Sequence, residues 1–561
     1  MKIYAAQINP CVGDIDGNVA KIISHIKTAK KLGAALAVFP ELCITGYPSE
    51  DLLLRPAFIA DEQAVLKKIA AAADGMAVII GATYGDLYNA AWLLKGGKAQ
   101  VVAAKTDLPN YGVFDEKRYF KPGEIAKTFN LGGKKIGVIV CEDMWTAAKT
   151  AVYKKQKVDL LVSINASPYE GGKLDERVVV AAKRAREAGA GLVYVNTVGG
   201  QDGVVFDGGS FVADKSGKIT AMLPQFVEMG ELFAGNAKRL GELEEKYRAL
   251  VLGLRDYVGK NGFKKVLLGL SGGMDSALTA VIAVDALTSK NVRLVVLPTR
   301  FTSEQTYKDA YEMCKNLGIT PELIDIEPAF KSFEQMLAKN FAGTKTGLAE
   351  ENIQSRVRGL TLMAIANKHG ELLLTTGNKS ELATGYATLY GDMCGAFNVL
   401  KDLYKTEVYE VAKCLNRTPE LRNSGTSEVQ KFRSSEVPII PQGIIDKAPT
   451  AELRENQKDE DSLPPYEVLD AILKLLIEGH KSQKEIVKIL SKNVIPAQAG
   501  ILKTKTHAFA GVTELQEIVD KVAKLLYQSE YKRFQAAPGV KLGRMSFGKD
   551  WRYPLTNKYN K

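Results

Sequence analysis

The sequence predicts two α/β units in tandem, the second a doubly wound parallel sheet followed by a helical C-terminal part. Three observations carry this. The chain has 561 residues, enough for several cores. Its first 230 or so residues alternate short β-branched runs with Gly-bearing turns and amphipathic stretches. After a charged junction a second series begins in the order strand, Gly-rich turn, helix, strand.

In the first unit, KIYAAQI, ALAVFP, AVIIGATY, QVVAAK, KIGVIVCE, DLLVSIN and GLVYVNT read as strands by length and composition. NVAKIISHIKTAKKLG and ERVVVAAKRAREAG between them read as helices. GELEEKYRALVLGLRDYVGKNG is charged, then amphipathic, and marks the junction, giving expected domains of 1–240 and 241–561. KVLLGL, SGGMDSALTAVIAVDAL and VRLVVLP follow as strand, turn with helix, and strand. ENIQSRVRGLTLMAIANKHG reads as a helix and ELLLTTGN as a strand. RNSGTSEVQKFRSSE is expected to be a mobile loop, the Pro-rich acidic stretch after it mostly loop, and residues 467–530 mainly helical.

Composition narrows the function. Apolar residues make up 46% and charged residues 25%, the balance of a folded protein rather than a disordered one. No apolar run reaches membrane-spanning length, so no membrane partner is expected. MKIYAAQINP lacks a signal-peptide pattern, and the six cysteines form no CxxC pair, so the expected setting is a reducing cytoplasm. Four histidines make multi-histidine chemistry unattractive. The net charge of +11 suits phosphate-bearing ligands without choosing between a nucleotide and a nucleic acid.

Two places carry chemistry. In Gly269-Leu270-Ser271-Gly272-Gly273-Met274-Asp275-Ser276 an apolar strand runs into a helix. Gly272 and Gly273 allow positive φ, and the helix start supplies free N–H groups and partial positive charge, which is a cradle for a pyrophosphate. The Walker string is absent. The bland reading is a plain turn with Ser271 as helix cap. The second place is Cys141, at the end of KIGVIV. An ordinary thiol is only a few per cent thiolate at neutral pH, and no histidine lies nearby to activate it. Glu41 and Lys105 also fall at the ends of apolar strands, where side chains of an α/β sheet converge. A Glu–Lys–Cys set can work without histidine. Against it stands the commoner reading of a strand-end cysteine as inert core, which also suits Cys43 and Cys314.

Resemblance sharpens both sites. SGGMDS is the string of the ATP-pyrophosphatase family. FPEL, LPNYGVFDE and VIVCEDMW resemble the nitrilase/amidase superfamily. LPTRFTSEQTYKDA, ENIQSRVRG, TTGNKSELATGY, LYGDMCGAFNVLKDLYKTEV, PTAEL, DEDSLPPYEVLD and YKRFQAAPGVKL resemble the NAD synthetases, in their glutamine-dependent bacterial form. The resemblance implies a nitrilase-like α-β-β-α sandwich fused to an ATP-pyrophosphatase domain. It implies hydrolysis of glutamine by Glu41 (base), Lys105 (supporting cation) and Cys141 (nucleophile), with Tyr111, Ser167 and Lys173 binding glutamine. It further implies adenylation of deamido-NAD by ATP and displacement of AMP by ammonia, delivered through an internal passage. On the same resemblance residues 269–276, Thr376, Lys405 and Thr450 contact ATP. Asp275 and Glu381 hold Mg2+, and Asn352, Arg356, Glu381 and Lys532 contact deamido-NAD. Ala396 stands where the family has glycine, and Phe534 where it has a basic residue.

Other readings have discriminators. GMP synthetase uses a Cys–His–Glu glutaminase, and no histidine lies near Cys141 in such a motif. Glutamine-type asparagine synthetase has an N-terminal cysteine, whereas this sequence starts Met1-Lys2. A nucleic-acid modifier needs a dedicated RNA-binding domain, and none is evident, although eight Lys/Arg against one acid follow from Tyr531. A dead-site binding protein would have lost Cys141, Glu41 or Asp275. The expected ligands are therefore small molecules, not nucleic acid, and the basic helical C-terminal part suggests a homo-oligomer.

Overall fold

A computed structural model describes residues 1–418, 421, 438–455, 457–498 and 512–557. The stretch RNSGTSEVQKFRSSE lies outside the described residues. The chain divides into two compact units, Met1–Asp256 and Tyr257–Lys561, the first ending within the helix Glu242–Lys260. Among the described residues no helix is long and apolar enough to cross a membrane.

The first unit is a four-layer α-β-β-α sandwich. One six-stranded sheet runs in the order Met229–Leu232, Ile3–Gln7, Leu36–Val38, Ala77–Tyr84, Tyr88–Lys95, Lys98–Ala104. The other runs Ile219–Met222, Phe211–Ala213, Gly191–Asn196, Leu160–Asn165, Lys134–Val140, Phe129–Leu131. Strand side chains alternate between faces, and here both faces are covered, which is why the strands read as continuous apolar runs. Val38, Ile79, Val102, Val138, Val162 and Val193 fill the layer between the sheets. Their neighbours Ala37, Val78 and Ile80 point outward against the helices Ile15–Lys31 and Pro56–Ala72. The helix Ile15–Lys31 meets them with Val19, Ile22, Ile26 and Ala29, one apolar stripe at helical spacing. Asp14 caps it by accepting a hydrogen bond from the Gly17 N–H at 3.0 Å. On the opposite outer face, Ala181, Ala185 and Ala188 of the helix Lys173–Ala188 pack with Tyr153 and Leu192.

The second unit is built on a five-stranded sheet ordered Glu322–Leu323, Val292–Val296, Val266–Gly269, Leu372–Thr375, Phe397–Asn398, with every pairing parallel. The chain winds one way from Val266–Gly269 and then returns to its other side, so the crevice of a doubly wound sheet opens beside the end of that strand. The helix Met274–Leu287 that follows is buried along nearly its whole length. The expected helical C-terminal part is present as Tyr466–Ile477, Gln483–Gln498, Val512–Gln528 and Glu530–Arg533. Leu469, Leu473, Leu476, Val519, Val522 and Leu526 join Leu382 and Trp551 in a separate apolar cluster of this unit.

Candidate functional sites

In the first unit four strand ends converge. Leu36–Val38 leads to Glu41, Lys98–Ala104 to Lys105, Lys134–Val140 to Cys141, and Leu160–Asn165 to Ser167. Gly81 permits the close approach of the first of these turns. A Cβ there would fall 2.4 Å from the Leu42 nitrogen and 2.6 Å from the Glu41 Cα.

Lys105 is fully buried and donates to Glu41 Oε1 at 2.8 Å and to Glu116 Oε1 at 2.7 Å. The Glu41 carboxylate is held on both oxygens: Asn89 Nδ2 donates to Oε1 at 2.7 Å and the Ala166 N–H to Oε2 at 2.9 Å. Cys141 begins a short 3-10 turn with φ +44°, a left-handed conformation uncommon for a side-chain-bearing residue, and it is buried. Burial, then the Glu41 charge, push its thiol well above the ordinary value, and Lys105 offsets this only in part. The sulfur therefore rests as the thiol. Burial by itself would lower the Lys105 ammonium, but Glu116 and Glu41 raise it well above its ordinary value, so it stays charged. Burial also lifts the Glu116 carboxyl to about 7. Asp143, two residues past the cysteine, accepts from the Thr106 and Asp107 N–H groups at 2.9 Å each, tying the Cys141 turn to the Lys105 turn.

Tyr111 is half-exposed and donates to Glu142 at 3.0 Å. Lys173 lies 4.2 Å over the Trp145 ring and pairs with Glu176 at 2.8 Å. Ser167 is buried. Its Oγ accepts from Arg177 Nε at 3.0 Å, and Arg177 also reaches Asp207 at 2.7 Å and the carbonyls of Ser167 and Pro168. Arg177 and Asp207 are both essentially inaccessible to solvent. Breaking such a pair strands a buried charge, which costs about 3–5 kcal/mol. Arg177→Met should therefore lower the urea midpoint of the first unit, read from tryptophan fluorescence. An unchanged midpoint would show that the pair adds nothing to stability.

In the second unit a cavity of about 290 Å3 opens at the end of Val266–Gly269. Gly269, Leu270, Ser271, Gly273, Met274, Asp275 and Ser276 border it, and so do Thr376, Glu381, Lys405 and Thr450. One local reading is corrected, that of Ser271 as the helix cap. Of the two glycines only Gly272 takes positive φ (+72°), and a Cβ there would fall 2.7–2.8 Å from Thr306. Gly272 thus packs against Thr306, whereas Gly273 is extended and caps the helix, a place expected for Ser271 in the plain-turn reading. The Ser271 hydroxyl instead meets the Ser276 hydroxyl at 3.0 Å, and Ser276 Oγ donates to the Gly273 carbonyl at 3.0 Å, closing the turn on itself.

Lys405 lies between two carboxylates, ion-paired with Asp275 and, at 3.0 Å, with Glu381. Asn378 Nδ2 fixes the other Asp275 oxygen at 3.0 Å. Burial raises the Glu381 carboxyl to about 8, with Lys405 opposing and Asp275 adding to the rise. Asp459, bonded by the Tyr466 hydroxyl at 2.8 Å, contributes a further carboxylate to the cavity wall. No group of three or more His, Cys, Asp and Glu that could hold a metal occurs among the described residues. Asp275 and Glu381 converge on one ammonium, and two carboxylates with substrate phosphates are a donor set that suits Mg2+.

Three expected ligand residues do not border this cavity. Asn352 accepts from the Thr388 hydroxyl at 2.7 Å, Arg356 Nε donates to the Leu389 carbonyl at 3.3 Å, and Lys532 Nζ donates to the Gly385 and Ala387 carbonyls at 2.8 and 2.7 Å. All three gather on the single turn 385–389. The sequence reading gave no functional role to Glu116, Asn89, Glu142 or Arg177, and it took Arg358 as a solvated helix charge. Glu116, Glu142 and Arg358 lie inside strings already quoted, LPNYGVFDE, VIVCEDMW and ENIQSRVRG, so a signal was present for those three.

Comparison with known proteins gives the class first. Residues 2–231 match the carbon-nitrogen hydrolase family and residues 246–536 the NAD synthase family. Curated relatives named glutamine-dependent NAD(+) synthetase include one from Rhodobacter capsulatus, 44% identical over 100% of this chain and 98% of its own. Another, from Thermotoga maritima, is 41% identical over 100% and 99%. A solved glutamine-dependent NAD+ synthetase from Acinetobacter baumannii, in complex with ADP, has 38% identity and a TM-score of 0.74, covering 99% of this chain and 98% of that one. The chain belongs to the glutamine-dependent NAD(+) synthetase family.

Proposed function

We propose that this protein converts deamido-NAD to NAD, consuming ATP and taking the nitrogen from glutamine. The observation that carries the reading is the presence, in one chain of this family, of both a Glu41–Lys105–Cys141 set and a strand–SGGMDS–helix turn bordering a cavity. Residues 1–240 are read as the glutaminase and 241–561 as the synthetase.

In the glutaminase, Sγ of Cys141 attacks the side-chain amide carbon of glutamine. Because the thiol rests protonated, a base must take its proton as the bond forms, and Glu41, fixed by three donors, is placed for that. The same proton then goes to the departing ammonia, leaving a thioester. Water, activated by Glu41, hydrolyses it to glutamate. Lys105 has three donor protons, and Glu41 and Glu116 occupy two of them, which leaves one for the oxyanion. Glu142 and Lys173 are opposite charges near the cysteine turn and suit the α-ammonium and α-carboxylate of a free amino acid. Tyr111 orients the first of them, while Arg177 holds the Ser167 turn.

In the synthetase, the backbone N–H groups at the start of Met274–Leu287 meet the phosphates of ATP. The nicotinate carboxylate attacks the α-phosphorus, pyrophosphate leaves, and ammonia then displaces AMP from the acyl adenylate. Asp275 and Glu381 would hold Mg2+, which when bound offsets the charge building on the leaving pyrophosphate. Lys405 pairs with both carboxylates and offsets one of their two charges. Arg356 and Lys532, adjacent cations on the turn 385–389, supply positive charge for the dinucleotide. Incubation with deamido-NAD, ATP, Mg2+ and glutamine should give NAD, AMP, pyrophosphate and glutamate in equal amounts. ADP with orthophosphate, in place of AMP, would refute the reading.

A further inference from the structure

Three cations border the cavity of the second unit: Lys405, Lys447 and Arg358. Two have their charge matched. Lys405 sits between Asp275 and Glu381, and Lys447 pairs with Glu452 at 2.8 Å. Arg358 has no ion pair among the described residues. Its only hydrogen bond there runs from Nε to the Leu297 carbonyl at 3.0 Å. A guanidinium carries five N–H donors, so four find no acceptor among the described residues.

The placement of this residue is not accidental. Ser355, Arg358, Gly359 and Leu362 all border the cavity, at the spacing of one helical face on Leu348–His369. Arg356, two positions earlier, falls off that face and is exposed. Gly359 lets the helix come close: a Cβ there would lie 2.8 Å from the Gly391 carbonyl oxygen and 2.9 Å from that of Tyr390. Arg358 is only partly exposed and borders the cavity. Burial lowers its guanidinium to about 10, with Glu452 and Asp392 restoring only part of the loss. A half-buried cation without an ion-pair partner has lost part of its hydration, and an anionic ligand in the cavity would compensate that loss. Planar guanidinium donors match phosphate oxygens two at a time.

We propose that Arg358 binds the phosphate chain of the nucleotide, anchored through Nε on the Leu297 carbonyl, with its Nη groups donating to phosphate oxygens. This rests on the ATP-using reading above and gives a role to a residue that the resemblance left without one.

The test is binding of α,β-methylene-ATP with Mg2+ to the full chain by calorimetry. Adenosine binding to the same protein is followed in parallel by ligand-observed NMR. Arg358→Met should weaken α,β-methylene-ATP by about 10- to 100-fold, the range of hydrogen bonds to charged groups. Adenosine, which lacks phosphate, should change less than about twofold, and its retention shows that the cavity is still formed. Arg358→Lys keeps the charge but loses the fork, and should fall between wild type and Arg358→Met. Unchanged affinity for α,β-methylene-ATP, or an equal loss for both ligands, overturns the proposal. Failure of the wild-type chain to bind α,β-methylene-ATP would instead strike the ATP-using reading itself.

Discussion

Cys141→Ala should abolish NAD formation from glutamine while leaving formation from ammonium salts intact. On the proposed mechanism the Cys141 sulfur is the one atom of the first site that no neighbour can replace. Removing a nucleophile that acts with a bound base typically costs roughly 10^4- to 10^6-fold in turnover. The substitution is also mild for the fold, since Cys141 lies in the layer between the sheets and alanine deletes only the sulfur. Glutaminase activity, followed as glutamate released, should fall to background. NAD formation with high ammonium should stay within about twofold of wild type, because ammonia then reaches the acyl adenylate without the thioester. Loss of both activities would mean that the thiol serves another purpose. Persistence of both would place glutamine hydrolysis elsewhere in the chain.

Asp275→Ala should have the complementary effect, losing synthesis from either nitrogen source. Asp275 stands in the first turn of Met274–Leu287, and its two oxygens are committed to Asn378 and Lys405. Without it, Lys405 would keep only Glu381 as an ion-pair partner, and the carboxylate pair that suits Mg2+ would be halved. Loss of one preorganised charge of this kind costs on the order of 10^3-fold, or about 4 kcal/mol of barrier. The step to follow is pyrophosphate–ATP exchange in the presence of deamido-NAD, which isolates adenylation from amide formation. Exchange at the wild-type rate would remove Asp275 from the adenylation step. Asp275→Asn keeps the hydrogen-bonding shape without the charge, and a loss equal to that of alanine would identify charge as what matters.

How much of this was readable beforehand depended on the length of each element. Long apolar strands such as Ala77–Tyr84 and Leu160–Asn165, buried on both faces, stand out in the sequence. Short antiparallel pieces such as Val204–Asp207 and Phe211–Ala213 do not, because three or four residues are too few to show a period. Pro56–Ala72 is a different case. Proline at its first position and Leu66, Ile69 and Ala70 at helical spacing were signal enough, but alanine-rich sequence between charged residues gives a weak contrast. The SGGMDS turn was legible as a cradle, yet the division of labour between its glycines was not, because it depends on the Thr306 backbone more than thirty residues away.

The sequence by itself determined the two α/β units, the strand ends on which Glu41, Lys105 and Cys141 sit, and the turn that opens Met274–Leu287. These are local matters of periodicity, Gly placement and helix starts. Only the tertiary structure decided that Glu116 and Glu41 share one buried ammonium, that Lys405 bridges Asp275 and Glu381, and that Arg358 rather than Arg356 borders the cavity. The reason is physical. Charge pairing and burial act over a few ångströms between residues distant in the chain, and two arginines two positions apart on a helix point about 200° apart, so packing alone chooses which one meets the ligand.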